Sequence, residues 1–297
     1  MIRAAGARTS RPGAVERLLE RWGPELADIR LVVSDMDGTL LDRRGEVPPA
    51  TQAAVAALRA AGLEFTLVSG RPPYTMFPTA DLLELDLPFI SYNGGLIVDR
   101  EGRTLDSRPL DPARIEPLVR RAADYGFEIL IGTPEDEYTI LESPWVVDRR
   151  KTGIYRHPRM NIEDLHRHEI LKCEIIGYRP PFQLRPEGVG LLEAEAAPFA
   201  GDPGFIRYEN IALEIMGPGV SKATGLEHLL ELLGLTAREV LAIGDNTNDN
   251  DMLAVAGLGM AVQNASPGTI DAADYHLEGF FSDGVCEVLE ALVALRA

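Results

Sequence analysis

Cysteine and long apolar runs are both scarce in this 297-residue chain. The two cysteines, Cys173 and Cys286, lie far apart without the spacing of metal ligands, so we expect two buried thiols in a reducing compartment. No run approaches the roughly 18 apolar residues of a membrane-spanning helix. The opening MIRAAGARTSRPG is not followed by the apolar stretch of a secretory signal. We therefore expect a cytoplasmic protein with no membrane partner.

Basic side chains are also outnumbered, with 29 Lys plus Arg against 46 Asp plus Glu and a formal net charge of -17. A surface that binds nucleic acid or an anionic membrane needs a clustered basic patch, so this balance argues against a nucleic-acid partner. Hydrophobic content of 45% and charged content of 25% are typical of a soluble globular protein, and the length favours two domains.

Helix and strand patterns alternate in two separate stretches of the chain. IRLVVSDMDGTL starts as a buried parallel strand, and helical and strand-like segments then alternate up to a predicted strand LPFISYNGG over 87–95 and again from Gly217. The intervening residues 96–216 are mixed, with DREGR placed like a hairpin turn. We predict a tail and short helix over residues 1–28, a discontinuous α/β core of residues 29–95 and 217–297, and an inserted domain of residues 96–216.

Aspartates follow two of the predicted core strands. Asp35 and Asp37 stand in DMDGTL after the first strand, and Asp245 stands in GDNTNDNDM after the strand VLAI. Since ligands bind at the carboxyl ends of parallel strands, we expect these carboxylates to converge. Converging carboxylates need a cation, and hard oxygen ligands suit Mg²⁺. Taken alone, a DxDG motif is more often a solvated turn in which the glycine supplies a positive φ.

Further polar residues at predicted strand ends suit phosphate oxygens. Ser69, Gly70 and Arg71 follow the second strand and offer a hydroxyl, backbone N–H groups and a guanidinium. Lys222, one of only three lysines, opens a helix. Each also has a plainer interpretation, as a capped turn or as a surface helix lysine. Asn93-Gly94-Gly95 is equally compatible with a tight turn and with a substrate contact.

Other common signatures are missing from the chain. It contains neither a GxxxxGK[ST] phosphate loop nor a strand-linked GxGxxG, and its histidines at 157, 166 and 168 lack the i, i+4 spacing of a helical zinc site. The basic residues within 149–159 either face an anionic substrate or form a solvated face.

Four motifs in order resemble the haloacid dehalogenase (HAD) superfamily, and within it the Cof-type phosphatases with a C2-type (C2B) cap inserted after the third core strand. They are DMDGTL at 35–40, SGR at 69–71, Lys222, and GDNTNDNDML at 244–253, which fits GDxxNDxxML. The closing segment, with its QNA and DGV, is also similar, so the resemblance extends from about residue 30 to the end. It implies a Rossmann-like parallel-sheet core with an inserted α+β cap domain.

The resemblance also implies a role for each acidic residue. Asp35 would attack phosphorus, form a phosphoaspartyl intermediate and ligate Mg²⁺. Asp37 would act as general acid and base and would ligate the ion through its backbone carbonyl. Asp245 would be the second side-chain ligand, and Asp249 would support the ion from the next shell or through water.

Phosphate binding by this family implies a second set of residues. The phosphoryl oxygens would be held by Ser69, Gly70, Arg71, Lys222 and Asn248. Substrate contacts are expected from Asn93, Gly94, Glu209 and Asn210, and from the basic stretch 149–159.

The function expected from the resemblance is Mg²⁺-dependent hydrolysis of a small phosphorylated metabolite, such as a sugar phosphate, by a monomer or homodimer. Two alternatives remain open at this stage. A phosphotransferase or phosphomutase would pass the phosphoryl group to a second hydroxyl, and a non-catalytic relative would bind a phosphorylated ligand without turnover. The inserted segment carries no readable specificity code, so the individual metabolite is not predicted.

Overall fold

The computed structural model describes residues 13–179, 181 and 183–297, and the predicted amino-terminal tail therefore lies outside the described residues apart from its last position. The strands, in chain order, are β1 Leu31–Asp35, β2 Glu64–Val68, β3 Phe89–Ser91, β4 Leu96–Val98, β5 Thr104–Ser107, β6 Glu128–Gly132, β7 Glu137–Thr139, β8 Lys172–Ile176, β9 Phe205–Tyr208, β10 Ala212–Met216, β11 Val240–Gly244, β12 Leu258–Ala261 and β13 Tyr275–His276.

The α-helices are α1 Ala14–Asp28, α2 Pro49–Ala60, α3 Pro73–Leu82, α4 Pro112–Asp124, α5 Pro144–Lys151, α6 Glu193–Ala196, α7 Lys222–Leu233, α8 Asn250–Val255, α9 Pro267–Ala272 and α10 Ser282–Ala294. Short helical turns occupy Met36–Leu40, Tyr92–Gly94, Ile162–Arg167, Gly188–Leu192, Ala197–Phe199, Ala237–Glu239 and Thr247–Asp249.

The described chain forms two compact units. The first comprises the described residues up to Ser69, Thr79–Phe89 and Leu226–Ala297, and the second comprises Gly70–Pro78 and Ile90–Gly225. The second unit thus takes in short stretches on both sides of residues 96–216, which were predicted as the insert. The boundaries given above for the core, 29–95 and 217–297, and for the inserted cap, 96–216, remain a prediction.

Parallel strands build the centre of the first unit. They pair in the order β13-β12-β11-β1-β2, so β1 lies between β11 and β2. All residues of β1 and β11 are buried, as expected for strands covered on both faces. Helix α10 packs against α1 and α2. This parallel arrangement agrees with the predicted Rossmann-like α/β core.

An antiparallel sheet in the order β7-β6-β8-β10-β9 builds the second unit. Alternate residues of these strands face an apolar core, which α4 covers with Ile115, Leu118 and Val119. The core side chains contributed by the central strands are Ile129, Ile131, Cys173, Ile175, Leu213 and Ile215. The opposite face of β8 and β10 therefore carries Lys172, Glu174 and Glu214.

The structure tests two local predictions, the hairpin at DREGR and the strand over 87–95. DREGR connects β4 to β5 as a hairpin, because Asp99 accepts backbone N–H bonds from Glu101 and Arg103 at 3.0 and 2.8 Å. The predicted strand over 87–95 is wrong beyond Ser91, since Asn93 and Gly94 take φ values of 54° and 104° and form a turn.

Cys173 and Cys286 are both buried, as predicted. Within the described ranges, no helix is long and apolar enough to cross a membrane.

Candidate active site

Three carboxylates meet where β1 and β11 end. Ser34 is paired with Ile243 in the parallel register, so Asp35 and Asp245 leave neighbouring strands at the same edge of the sheet. Asp35 and Asp249 are buried and Asp245 is half-buried. One ligand oxygen from each of the three lies within 4.8 Å of the others. The structure thus brings Asp35 and Asp245 together as predicted, and Asp249, expected only from the family resemblance, joins them. Asp37, which was also expected to converge, is not part of this group of three.

The loop after Asp35 is shaped by a close approach to Asp245. Its turn, Met36–Leu40, is closed by a bond from the Leu41 N–H to the Met36 carbonyl at 2.9 Å. Gly38 has a φ of 87°, and a Cβ added to it would lie 2.3 Å from Asp245 Oδ2. Thr39 Oγ1 donates to Asp245 Oδ1 at 3.1 Å. Glycine is therefore required at position 38 for the backbone to reach this carboxylate.

The acidic loop after β11 is organised by Asp249. Its Oδ2 accepts the backbone N–H groups of Asp245 and Asn246, both at 3.0 Å. The Asn246 side chain accepts the Thr247 N–H at 2.8 Å and so begins the turn, as asparagine commonly does at a helix start. Asp249 thus uses one carboxylate oxygen to hold the loop that presents Asp245.

Sequence reasoning assigned no role to Asn264, which lies beyond β12 at the same edge of the sheet. Its Nδ2 donates to the Gly38 carbonyl at 2.7 Å, and its Oδ1 accepts the Phe281 N–H at 2.7 Å. Asn264 therefore ties the Asp37–Gly38 segment to the start of α10. Its place in the quoted QNA, directly after a strand, was the available signal.

Ser69 and Asn248 stand near the same strand ends. Val68 is paired with Asp35 across β1 and β2, and the buried Ser69 follows it. Asn248 is half-buried in the turn Thr247–Asp249.

Gly70 and Arg71, the other predicted phosphate ligands of the loop after β2, belong to the second unit. There, Gly70 packs against Asn93. A Cβ added to Gly70 would lie 3.0 Å from Asn93 Nδ2. The Arg71 carbonyl accepts the Ser91 hydroxyl at 2.6 Å and the Tyr92 N–H at 3.3 Å. Side chains and backbone of the segment 91–93 therefore hold the main chain of the loop.

Lys222 is buried at the start of α7, next to the turn formed by Asn93 and Gly94. A Cβ on Gly94 would lie 2.1 Å from the Ser221 carbonyl oxygen, and a Cβ on Gly225 would lie 2.7 Å from Gly94 Cα. Lys222 itself is only 1% exposed. The tight approach of two glycines therefore brings the Asn93 turn against the first turn of α7.

A family model of haloacid dehalogenase-like hydrolases matches residues 32–289, and so covers most of the chain. The chain belongs to this family. Its parallel core and the clustered aspartates fit that assignment.

Similar proteins span nearly the whole of this HAD hydrolase. The YkrA protein of Bacillus subtilis is 28% identical over 273 residues, covering 91% of this chain and 100% of its own. A phosphoglycolate phosphatase of Methanoculleus marisnigri is 28% identical over 265 residues, covering 88% and 96%. A solved haloacid dehalogenase-like hydrolase from Bacteroides thetaiotaomicron superimposes with a TM-score of 0.70 at 28% identity, covering 88% and 98%. The predicted class, a Cof-type HAD phosphoric monoester hydrolase, is confirmed.

The expected substrate contacts Glu209 and Asn210 lie in the turn between β9 and β10 of this HAD hydrolase. Glu209 has a φ of 49° and its carbonyl accepts Arg207 Nε at 2.9 Å, while Asn210 Oδ1 accepts Arg207 Nη2 at 3.2 Å. Their role as substrate contacts remains a prediction.

The basic stretch 149–159 contains both half-buried and solvated members. The Arg149 guanidinium lies over the rings of Tyr155 and Trp145, at 3.5 and 4.6 Å from their centroids. Burial, together with the charge of Arg149, lowers the pKa of the neighbouring His157 to about 4. Lys151, in contrast, is exposed and paired with Asp148 at 2.7 Å. The stretch is therefore not a uniformly solvated face.

Proposed function

We propose that this hydrolase is a Mg²⁺-dependent phosphatase that releases inorganic phosphate from a small phosphomonoester through a phosphoaspartyl intermediate on Asp35. The observation that carries the proposal is the convergence of the Asp35, Asp245 and Asp249 oxygens within 4.8 Å of one another, at the edge where parallel strands end. Ligand sites in open α/β sheets lie at that edge.

The donor set supports Mg²⁺ as the cofactor. Carboxylates at such short separations repel one another unless a cation compensates them, and an all-oxygen set suits a hard divalent ion. The side chains of Asp35 and Asp245 and the Asp37 carbonyl would hold the ion, with Asp249 supporting Asp245 through the loop. When bound, Mg²⁺ neutralises charge on the phosphoryl oxygens.

Asp35 is the proposed nucleophile. An ionised carboxylate needs no base to activate it, and Asp35 is held rigidly at the end of a fully buried strand. Its carboxylate oxygen would form a bond to phosphorus while the bond from phosphorus to the ester oxygen breaks. Ser69, Gly70, Arg71, Lys222 and Asn248 are the proposed ligands of the phosphoryl oxygens.

Asp37 is the proposed general acid and base. It is exposed, whereas Asp35 is 4% exposed, so the two aspartates of the motif differ in access to the leaving group and to water. Asp37 would give its proton to the departing alkoxide. It would then take a proton from the water that attacks phosphorus, releasing phosphate and restoring Asp35.

The proposed substrates are small phosphorylated metabolites, with sugar phosphates as the leading class. A relative named as a phosphoglycolate phosphatase supports a small phosphomonoester. We also propose a cytoplasmic location and a monomer or homodimer, without a nucleic-acid partner.

The test is phosphate release from p-nitrophenyl phosphate and from a panel of phosphorylated metabolites, with Mg²⁺ or with EDTA. We expect activity that requires Mg²⁺, and an Asp35→Asn variant that folds but has no turnover. Asp251→Asn is the matched control, because Asp251 is an exposed residue at the start of α8 and should keep wild-type kcat/KM.

Three outcomes would contradict the proposal. Wild-type turnover by Asp35→Asn would remove the nucleophile assignment. Isomerised sugar phosphate without phosphate release would indicate a phosphotransferase, and no Mg²⁺-dependent activity on any ester would favour a binding protein.

A further inference from the structure

Lys172 is one of three lysines in the chain, and it lies within the sheet of the second unit with a side chain that is 5% exposed. Its Nζ donates to Glu214 Oε1 at 2.8 Å and to the Gly70 carbonyl at 3.3 Å, and it lies 3.2 Å from Glu174 Oε2. An ammonium group has three N–H donors, and these three acceptors can use all of them.

The carboxylates around Lys172 stabilise its protonated, charged form. Burial alone would lower its pKa, but the carboxylates of Glu174, Glu214 and Glu137 outweigh burial and raise the pKa of Lys172 well above its usual value. The ammonium group therefore keeps its charge throughout the neutral range. A buried ion pair is weak evidence for a stabilising role. The Lys172 ammonium also holds a main-chain acceptor, the Gly70 carbonyl.

The same network reaches Gly70 by a second route. Glu214 Oε2 accepts the Asn93 Nδ2 at 3.1 Å, and the Asn93 amide in turn packs against Gly70, where a Cβ would lie 3.0 Å from Nδ2. Lys172 thus holds the carbonyl of Gly70 while Asn93 borders its α-carbon. Both are aligned by one carboxylate, that of Glu214.

Gly70 stands between Ser69 and Arg71, the proposed phosphate ligands. We propose that Lys172, with Glu214, is a positioning residue that fixes the main chain of this loop and so sets the geometry of phosphate binding. The inference rests on the proposed function. It predicts an effect on every phosphomonoester alike, because the loop binds the phosphoryl group and not the leaving group.

The experiment compares Lys172→Met with Arg120→Met at saturating Mg²⁺. Arg120 is a half-exposed cation of α4 in the same unit, ion-paired with Glu116 and Glu163, and controls for the loss of a paired cation at the surface. The readouts are kcat/KM for p-nitrophenyl phosphate, phosphoglycolate and a hexose phosphate, and the inhibition constant of inorganic phosphate. We expect Lys172→Met to lose roughly 10- to 100-fold in kcat/KM on all three esters and to bind phosphate more weakly. Arg120→Met should match the wild type.

Two results would overturn the inference. One is wild-type kcat/KM and phosphate inhibition in Lys172→Met, and the other is a loss confined to one ester, which would mean that Lys172 recognises a leaving group. If Lys172→Met does not fold by circular dichroism, Glu214→Gln replaces it. That variant keeps an acceptor for Lys172 but turns an N–H toward the Asn93 amide, and it should lower kcat/KM on all three esters by a smaller common factor.

Failure of the inference is distinguishable from failure of the proposed function. A wild-type protein without Mg²⁺-dependent phosphate release contradicts the proposed function. An active wild type with unaffected Lys172 and Glu214 variants contradicts only the positioning role.

Discussion

At the scale of single residues, Gly38 shows how an absent side chain shapes the candidate site. The position combines a φ of 87° with an approach that would place a Cβ 2.3 Å from Asp245 Oδ2. Gly45 has a similar φ of 78°, yet a Cβ there meets no heavy atom of the described residues within 4 Å. Substitutions at the two glycines can therefore distinguish the effect of backbone strain from the effect of contact with the Asp245 carboxylate.

We expect Gly38→Ala and Gly45→Ala to differ sharply in activity. Both variants bear the left-handed backbone penalty of about 1 kcal/mol. Only Gly38→Ala must also displace the Asp245 carboxylate, so its kcat/KM should fall by roughly 100-fold or more. Steady-state kinetics together with urea unfolding measure both effects. Similar activity in the two variants would mean that the approach to Asp245 is not needed for turnover.

At the scale of elements, α7 keeps a glycine within its first turn although glycine weakens a helix interior by about 1 kcal/mol relative to alanine. Gly225 lies where a Cβ would come within 2.7 Å of Gly94 Cα and 2.9 Å of Ile90 Cγ2. Glycine is therefore favoured at position 225 by the close packing of the Asn93–Gly94 turn against α7, although alanine would have the higher helix propensity.

The expected result is that alanine destabilises the protein at Gly225 but not at Gly268. Gly268 lies in α9, and a Cβ there has no neighbour within 4 Å among the described residues, so Gly268→Ala should keep or raise the melting temperature. Gly225→Ala should lower it and raise KM, because the Asn93 turn must move. Thermal unfolding and phosphatase kinetics test the pair, and equal stabilisation by both substitutions would refute the packing argument.

At the scale of the whole molecule, the net charge of -17 causes repulsion among acidic groups throughout the protein. A bound Mg²⁺ would instead act only at the aspartate cluster. Added salt screens the general repulsion, and a bound ion stabilises only the folded state that binds it. These two effects can be separated at constant ionic strength.

Magnesium should raise the melting temperature of the wild type at constant ionic strength but should leave that of Asp245→Asn nearly unchanged. At a concentration of about 100 times Kd, binding contributes about 2.7 kcal/mol, which corresponds to roughly 5 °C or more. Differential scanning calorimetry with Mg²⁺ replaced by Na⁺ is the measurement. An equal rise in Asp245→Asn would show that Mg²⁺ acts by screening and not at the aspartate cluster.

What the sequence determined by itself is local. Buried apolar runs that end in Asp35 and in Gly244-Asp245 predicted two parallel strands with carboxylates at their ends, because strand formation and its termination are encoded within a few residues. The hairpin around Asp99 was predicted for the same reason.

What only the tertiary structure decided concerns pairs of residues that lie far apart in the chain. Asn264 reaches Gly38 across 226 positions and Lys172 reaches Gly70 across 102, and no periodicity or spacing reports such a contact. The end of the third strand at Ser91 was also not predicted, since the left-handed backbone of Asn93 and Gly94 is stabilised by packing against Ser221 and Gly225. Local pattern thus predicts which side chains reach the edge of the sheet, whereas their alignment depends on contacts that exist only after the chain has folded.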